Sequence, residues 1–398
     1  MAYGEKVYHL SALFSQLEES RLRPQIELRG VVGGAFVMMA AQMGSLHALE
    51  QERVNPFWRR WLGEDLASAD TTGRVYCGLE LEGLRSALYE VYRRLKRNKA
   101  LRQRHGFSVL IVDGHESSSS YLRCCQGCMK RHIQTSDGER VQYYHRQVMA
   151  MLSLDRFPLL LDVEDQRQGE DEVSAAFRLL GRVLHRYPRA FQVVLGDALY
   201  LRANVFQLLL AHGKHAIAVL KDETRDLWQD VQGLFPLEEP EVEVGDRRER
   251  QIWDIQALES WSSLGEKTRV VRSLETKTIT RQLTRQKETQ RSEWMWATTL
   301  SKEQALARTI VNLGHDRWLI ENRAVNEMVT YWHLDHIYRH HPNAITALWL
   351  TLFFALNLFR AFVCLNIKPV RRARHTDLYF AKLIFAGLQE ENFHNRSP

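Results

Sequence analysis

Residues 107–114, FSVLIVDG, form an apolar run that ends at Asp113 and Gly114. A second run, FQVVLGD at 191–197, ends in the same way at Asp197. Short apolar runs rich in Val and closed by turn residues are typical of buried strands, so each segment predicts a strand with a carboxylate at its end. Two such carboxylates on neighbouring strands are able to hold a divalent cation, whereas a single Asp after a strand is usually only a turn residue.

The segments around these two strands predict further strands alternating with helices. They are a hairpin over 141–152 and 157–163, helices over 170–187 and 201–212, and a strand over 215–220. In chain order the pattern is strand, hairpin, helix, strand, helix and strand. Such an order is typical of an α/β fold.

The rest of the chain divides by its residue pattern. Residues 1–104 read as mostly helical. Residues 222–300 contain stretches of alternating polar and apolar residues, with Trp253, Trp261, Trp294 and Trp296 spread among them, which predicts a β-rich insertion. Helices resume near 301, and the tail carries several basic residues. We therefore expect five parts: a helical region at 1–104, a core at 105–221 with a Cys-rich loop at 115–140, the insertion at 222–300, a second core segment at 301–367, and a basic tail at 368–398.

The composition of the chain excludes several classes of protein. Of its 398 residues, 45% are hydrophobic and 26% charged, which excludes a mostly disordered chain. Five cysteines are too few for a disulfide scaffold of this length, and a formal net charge of +6 hints at a polyanionic partner. No glycine-rich ATP phosphate loop is present, and the N-terminus lacks a secretion-signal pattern, so we expect a cytoplasmic protein.

One apolar stretch, residues 345–367, is long enough to span a bilayer. It contains Asn357 and Arg360, and a lone Arg near the centre of a membrane helix costs a few kcal/mol. We therefore predict a buried core helix here and expect no membrane partner.

A third acidic residue lies in a helix predicted after the insertion. Arg317 and Glu321 are four positions apart and therefore share a helix face. The simplest interpretation is a helix salt bridge. The alternative is a third metal-binding carboxylate beside a cation that holds a phosphate.

A cysteine cluster at 124–128 offers a second kind of chemistry. Cys125 and Cys128 have the CxxC spacing of half a zinc site, and Cys124, His132 and His145 are candidates for the other ligands. The alternatives are a redox pair or small buried side chains. Two cations just beyond the cluster, Lys130 and Arg131, lie where they could reach DNA.

Basic residues also cluster at the end of the first helical region. They are Arg93, Arg94, Lys96, Arg97, Lys99, Arg102 and Arg104, with no acid among them. These basic residues either form a solvent-exposed helix face or bind phosphates. We take Arg93, Arg94 and Arg97 as candidate DNA contacts.

Taken together, these motifs resemble those of IS4-type DDE transposases, bacterial insertion-sequence enzymes with an RNase H-like catalytic core. The resemblance covers residues 105–365 and rests on Asp113 with its neighbours, on VLGDALY at 194–200, and on RWLIEN at 317–322, with the insertion before the last motif. It implies an RNase H-like mixed sheet flanked by helices, a β-rich insertion before the last catalytic helix, and a helical N-terminal region. The family usually has Tyr and Lys where this chain has Gly314 and Met328.

The resemblance also implies a function. Asp113, Asp197 and Glu321 would be the catalytic residues and would bind two Mg²⁺ or Mn²⁺ ions, and Arg317 would position phosphate. The enzyme would nick transposon ends and join the 3′-hydroxyl to target DNA. Its partners would be double-stranded DNA and further copies of itself in a synaptic complex, in a bacterial cytoplasm and on the nucleoid when bound.

Two other functions fit the same residues. One is a catalytically silent DNA-binding protein derived from a transposase. The other is a different metal-dependent nuclease with an RNase H-like core. A strand-transfer product distinguishes a transposase from both.

Overall fold

The structure, a computed structural model, describes residues 1–136, 138–245, 248–281 and 285–394, with side chains described up to residue 389. Residues 1–104, all of them described, are mostly helical. They form α1 (Ala2–Tyr8), α2 (Leu10–Ser15), α3 (Leu28–Ala40), α4 (Leu46–Gln51), α5 (Pro56–Leu62), α6 (Ala69–Cys77) and α7 (Leu81–Arg97). Ser45, Asn55 and Ser68 accept backbone N–H bonds at the starts of α4, α5 and α6, which fixes where these helices begin.

The next segment contains the predicted strands and helices. They are β1 (Val109–Ser120), β2 (Met129–Thr135), β3 (Gly138–Ser153), β4 (Leu159–Asp165), α8 (Glu172–Arg186), β5 (Val193–Gly196), α9 (Ala203–Ala211) and β6 (His215–Val219). Both predicted helices and all five predicted strands are present near their expected positions. The apolar periodicity that predicted them is therefore the pattern that the tertiary structure buries.

The Cys-rich stretch 115–140 is largely strand, and our prediction of a loop there was wrong. The strand β1 continues seven residues past Asp113 to Ser120, and β2 follows at Met129. Polar side chains from these strands pair with one another, since Arg131 donates to Glu116 at 2.7 and 2.8 Å and Gln142 donates to Ser119 at 3.3 Å. Such cross-strand pairs stabilise a polar strand that has no apolar pattern of its own.

The segment 222–300 begins with a helix and continues as strands. Its elements are α10 (Asp226–Leu234), β7 (Glu241–Gly245), β8 (Arg248–Leu258), β9 (Thr268–Thr280) and β10 (Lys287–Thr298). The strands β8, β9 and β10 pair antiparallel over long registers. The chain then returns to helices: α11 (Ala307–Asp316), α12 (Asn326–Trp332), α13 (Pro342–Asn366), α14 (Pro369–Arg374) and α15 (Asp377–His394).

In the described residues, ten strands form one mixed sheet in the order β2-β3-β1-β5-β6-β10-β9-β8-β7, with β4 also paired to β3. The strands β1, β5 and β6 are parallel, while β3 and β4 are antiparallel. The strand β10 pairs antiparallel with β6, so the strands of the insertion extend the same sheet. This mixed sheet flanked by helices confirms the predicted fold class and is consistent with an RNase H-like fold.

The chain divides into two compact units. Unit 1 consists of Met1–Arg102, Gly114–Tyr187 and Ile320–Pro398, and unit 2 consists of Gln103–Asp113 and Pro188–Leu319. In unit 1, α13 packs against α3, α6, α7 and β4. In unit 2, α11 packs on β6, β8, β9 and β10, and α9 packs on β6.

The helix α13 is the one described helix that is long and apolar enough to cross a membrane, and 83% of its apolar window is buried within the protein. Asn357 and Arg360, the two polar residues noted within its apolar stretch, both have protein partners. The Asn357 amide donates to the Leu160 carbonyl and accepts from the Leu160 N–H, at 2.7 and 2.9 Å. Arg360 donates to Glu327 at 2.8 Å. The prediction of a buried core helix is confirmed.

Candidate functional site

Asp113 and Asp197 lie side by side in unit 2. The strands β1 and β5 are parallel, and their register pairs Val109 with Val193 and Ile111 with Leu195. Two residues further along both strands, the same register brings Asp113 level with Asp197. Neighbouring strands are about 4.8 Å apart, so the two carboxylates share one edge of the sheet. Both residues are partly exposed.

The local sequence explains why the chain turns at Asp197. The Asp197 carboxylate accepts the Leu199 N–H at 2.8 Å and thereby caps a short 3₁₀ turn, Ala198–Tyr200. A Cβ on Gly196 would lie 2.6 Å from the Tyr200 side chain, so only glycine fits beneath that ring. The Asp197 carboxylate is therefore held at the end of β5 by its capping hydrogen bond and by the close packing of Gly196 against Tyr200.

Arg317 supplies a cation beside the first acid. Its Nη1 lies 3.4 Å from Asp113 Oδ2, and both side chains are largely buried. The guanidinium carbon also lies 4.2 Å from the centre of the Trp318 ring, a cation–π contact that orients it. The backbone here is anchored by Asp316, which accepts a bidentate pair from Arg104 at 2.8 and 3.0 Å.

Glu321 lies in unit 1, at the first position of a π-helical turn, Glu321–Val325. Single π-turns are rare and occur often at functional sites. Because the two aspartates lie in unit 2, the convergence of all three acids stays a prediction. The next acid along, Glu327, is bound to Arg360 within unit 1.

The two departures from the family pattern are explained by packing. A Cβ on Gly314 would lie 2.3 Å from the Trp296 ring in unit 2, so a tyrosine at 314 has no room. Met328 is fully buried in unit 1 and is part of its core.

The basic residues predicted to bind DNA lie in unit 1 and differ in their surroundings. Arg93 and Arg97 at the end of α7 are exposed, although Arg93 also pairs with Glu90 at 2.7 Å. Arg94 points inward, pairing with Glu90 and donating to the Val7 carbonyl. On β2, Lys130 is exposed, while Arg131 is bound to Glu116 and Gln142.

A cluster of two thiols and two imidazoles forms within unit 1. The ligand atoms of Cys125, Cys128, His145 and His340 all lie within 4.8 Å of one another. The two sulfurs are 3.7 Å apart, and the two Nε2 atoms are 3.3 Å apart. Three sulfur-to-nitrogen separations, from Cys125 to His145, from Cys128 to His145 and from Cys128 to His340, are each 3.3 Å.

Two of the predicted ligands do not join this cluster, so those assignments were wrong. Cys124 is exposed, because adjacent residues of the turn point in different directions. His132 lies on β2, where it pairs with Glu139 at 2.8 Å on the solvent side. The third member of the cluster is His145, which the sequence analysis had named as a candidate ligand. The fourth member is His340.

His340 was missed because it lies 195 residues beyond His145 and has no motif spacing to either cysteine. No local pattern in the sequence marks it as a ligand.

Burial favours the uncharged forms of His145, His340 and Cys128. It lowers the pKa of His145 to about 4, with the neighbouring His340 adding to the effect. Burial likewise lowers the pKa of His340 and raises the pKa of Cys128 to about 11. Neutral imidazoles are the form that binds metals, whereas the thiol requires a metal or a base to release its proton.

Comparison with known proteins adds one strong match. The sequence profile of the family described as Transposase DDE domain matches residues 104–358, more than half of the chain. No curated protein matches. Among solved structures, a piggyBac transposase synaptic complex with hairpin DNA, determined by cryo-electron microscopy, is similar at a TM-score of 0.44 and 9% identity, covering 100% of this chain and 84% of that chain. A structural similarity at this level is too weak to indicate function. The family match is therefore the finding that bears on function.

Proposed function

We propose, since this chain belongs to the transposase DDE domain family, that it is an IS4-type transposase that cuts the ends of an insertion sequence and joins them to target DNA. The observation that carries the proposal is the pair of carboxylates, Asp113 and Asp197, level on neighbouring parallel strands with Arg317 beside them. Carboxylates at such a sheet edge are the ligands that two-metal phosphoryl transfer requires.

We assign Asp113 and Asp197, with Glu321 as the third acid, to hold Mg²⁺ or Mn²⁺. The donor set fits, because all three side chains offer only oxygen, which these hard cations prefer. When bound, such ions supply charge stabilisation for the attacking and leaving oxygens. Asp197 is already held in place by its bond from the Leu199 N–H, so it does not need to be ordered when metal binds.

Arg317 is assigned to the scissile phosphate. Its planar fork of N–H donors matches two phosphate oxygens, and Trp318 holds the plane of the guanidinium. The contact to Asp113, at 3.4 Å, is long enough for the guanidinium to be shared between the carboxylate and a phosphate.

The proposed reaction has two balanced steps. In the first, the oxygen of water bonds to phosphorus at the transposon end, and the 3′-oxygen leaves as a hydroxyl. In the second, that hydroxyl attacks a phosphodiester of the target. Each step forms one P–O bond and breaks one, so no nucleotide cofactor is needed. Synapsis of two ends implies a homo-oligomer, and we propose the bacterial cytoplasm as its location.

The test is cleavage and strand transfer of linear DNA that carries the inverted ends of the element, with Mg²⁺ or Mn²⁺. We expect Asp113→Asn, Asp197→Asn and Glu321→Gln each to lower the rate by at least about 10²–10³-fold, the range seen when one electrostatic stabiliser is lost. Binding of end DNA should change little.

Glu327→Gln is the matched control, since it makes the same change six residues along. It should cleave normally at temperatures where it is folded. If Glu327→Gln were inactive and Glu321→Gln active, the third acid would be misassigned. Nicking by the wild type without strand transfer would indicate another nuclease. No cleavage with either metal would indicate a silent DNA-binding protein.

A further inference from the structure

We propose that Cys125, Cys128, His145 and His340 bind one Zn²⁺, forming a structural centre separate from the carboxylates. All four residues belong to unit 1. They come from three places in the chain: the turn 125–128 before β2, the middle of β3, and the residues just before α13.

The separations within the cluster are those of a tetrahedral zinc site. With Zn–S of about 2.3 Å and Zn–N of about 2.05 Å, a tetrahedron places its ligand atoms about 3.8 Å apart for S–S, about 3.6 Å for S–N and about 3.3 Å for N–N. The cluster has 3.7 Å for S–S, 3.3 Å for three S–N pairs and 3.3 Å for N–N. The sixth pair, from the Cys125 sulfur to His340 Nε2, lies within 4.8 Å. Five of the six separations are thus within about 0.3 Å of those of a zinc tetrahedron.

The donor set favours zinc over the ions proposed for the carboxylates. Two thiolates and two imidazoles suit Zn²⁺, whereas Mg²⁺ and Mn²⁺ prefer oxygen. The alternative to a zinc site is a disulfide bond between Cys125 and Cys128. Its bond length is about 2.05 Å, compared with the 3.7 Å seen here, and a disulfide does not account for two imidazoles aimed at the same point.

The surrounding chain is shaped to hold these ligands. The Cys128 N–H donates to the Cys125 carbonyl at 3.1 Å, and the Cys125 N–H donates to the Cys128 sulfur at 3.2 Å, which closes the turn around the sulfurs. A Cβ on Gly127 would lie 2.9 Å from Pro342, so only glycine allows the turn to pack against the start of α13. Cys128 and His145 are buried, as expected of a closed structural site.

The position of His340 shows what the ion would stabilise. Residues 333–341 connect α12 to α13, and α12 directly follows the π-helical turn that bears Glu321. A hydrogen bond and an ion pair also fasten this connection: His115 Nε2 lies 2.7 Å from Asp335 Oδ1, and Arg339 lies 3.5 Å from Asp70. Zinc would fasten its end to β3, which makes it a structural clamp with no place in the chemical step.

The first test is the metal content of the purified full-length chain. Elemental analysis should find about one zinc per chain, and Co²⁺ exchanged into the site should give tetrahedral d–d bands with charge-transfer intensity from two thiolates. Protein that is folded, reduced and free of zinc, and that takes up neither zinc nor Co²⁺, would overturn the proposal.

The second test compares variants of the proposed ligands with variants of residues close to them in the sequence. Cys125→Ser and His340→Ala should each weaken zinc affinity by more than about 100-fold, beyond the roughly 10–100-fold expected of a group outside the ligand shell. The adjacent variants Cys124→Ser and His341→Ala, together with His132→Ala, should retain it. Loss of zinc in Cys124→Ser or His132→Ala, with His340→Ala unaffected, would overturn the assignment.

A third variant keeps the test decisive where removal of a ligand prevents folding. His340→Cys replaces one zinc ligand with another, so the variant should still bind one metal, and its Co²⁺ form should show charge transfer from three thiolates. Two thiolates in this variant would show that residue 340 is not a ligand. None of these measurements uses DNA cleavage, so they succeed or fail independently of the transposase assignment.

Hydrogen exchange tests the role of the ion. Removal of zinc by a chelator should raise amide exchange in 333–341 at least tenfold and should leave exchange in α9, which belongs to unit 2, unchanged. Unchanged exchange in 333–341 would show that the ion does not clamp this segment.

Discussion

Gly314 shows at the level of one residue how this chain departs from its family pattern. The indole of Trp296 occupies the space that a side chain at 314 would need, with ring atoms 2.3 to 2.8 Å from a Cβ built there. The indole itself is buried and stacks parallel to Trp294 at 6.1 Å. The glycine at 314 and the tryptophan at 296 therefore depend on each other.

Gly314→Ala should destabilise unit 2 by about 1–3 kcal/mol, the cost of inserting a methyl group into a packed site. Thermal unfolding of the full chain measures it. Gly181→Ala in α8 is the matched control, because nothing lies within 4 Å of its Cβ, and it should be neutral or stabilising. Combining Trp296→Phe with Gly314→Ala should recover part of the lost stability. Equal effects of the two glycine variants would contradict this account.

Glu275 is a second residue whose surroundings set its chemistry. Burial would raise its pKa, but the His315 hydrogen bond at 2.6 Å and the charges of His315, Arg250 and Arg248 outweigh burial, lowering the pKa from 4.5 to about 2. A lowered carboxyl pKa means that the charged form stabilises the fold. That stabilisation is complete above about pH 4.5 and is lost as pH falls toward 2.

We therefore expect Glu275→Gln to flatten the acid side of the stability profile. The difference in unfolding temperature between wild type and variant should be largest above pH 5 and should shrink as pH falls to 2.5. Glu249→Gln, on the exposed side of β8, serves as the control and should follow the wild type. A difference that did not change with pH would show that Glu275 acts through packing alone.

At the scale of elements, the helical segment from Ala307 to Trp332 is not one regular helix. The helix α11 ends at Asp316, and the turn Glu321–Val325 is π-helical before α12 begins. Arg360 of α13 braces that turn, since it donates to the Arg323 carbonyl and to Glu327. Arg360, the one cation within α13, thus holds the turn that bears Glu321.

Arg360→Met should destabilise unit 1 by about 2–3 kcal/mol, the loss expected when a charge-assisted hydrogen bond is removed from a buried partner. Combining it with Glu327→Met should recover part of the loss, because no unpaired charge then remains. A double-mutant cycle from thermal unfolding measures the coupling. Additive effects would show that the two side chains do not interact.

At the scale of the whole molecule, the charge of +6 bears on DNA affinity. Of the basic residues predicted to bind DNA, Arg97 and Lys130 are exposed, while Arg94 is packed against Glu90 and the Val7 carbonyl. Only exposed cations release counterions when they meet a phosphate, so the two groups should differ in salt dependence.

The logarithm of the association constant for end DNA should fall linearly with the logarithm of the salt concentration. Arg97→Ala and Lys130→Ala should each reduce the slope by about one, whereas Arg94→Ala should leave the slope unchanged and lower the unfolding temperature. Fluorescence anisotropy over a salt series measures the slopes. A reduced slope for Arg94→Ala, with none for Arg97→Ala, would contradict these assignments.

The sequence by itself predicted the fold class, the strands around Asp113 and Asp197, and the burial of α13, because apolar periodicity and turn residues are local signals that the fold obeys. It also identified two of the four residues in the Cys/His cluster from CxxC spacing, and it offered His145 as a candidate. The catalytic role proposed for the three acids came from resemblance, and the register of β1 and β5 brings two of these acids level.

Tertiary structure alone decided the rest. The extension of β1 to Ser120 depends on cross-strand partners, and the π-helical turn at Glu321 is braced by a side chain 37 residues from its contact. His340 joins the cysteines only because α13 packs where it does. Contacts between residues far apart in the chain are fixed by how elements pack, and packing leaves no periodic trace in the sequence near either partner.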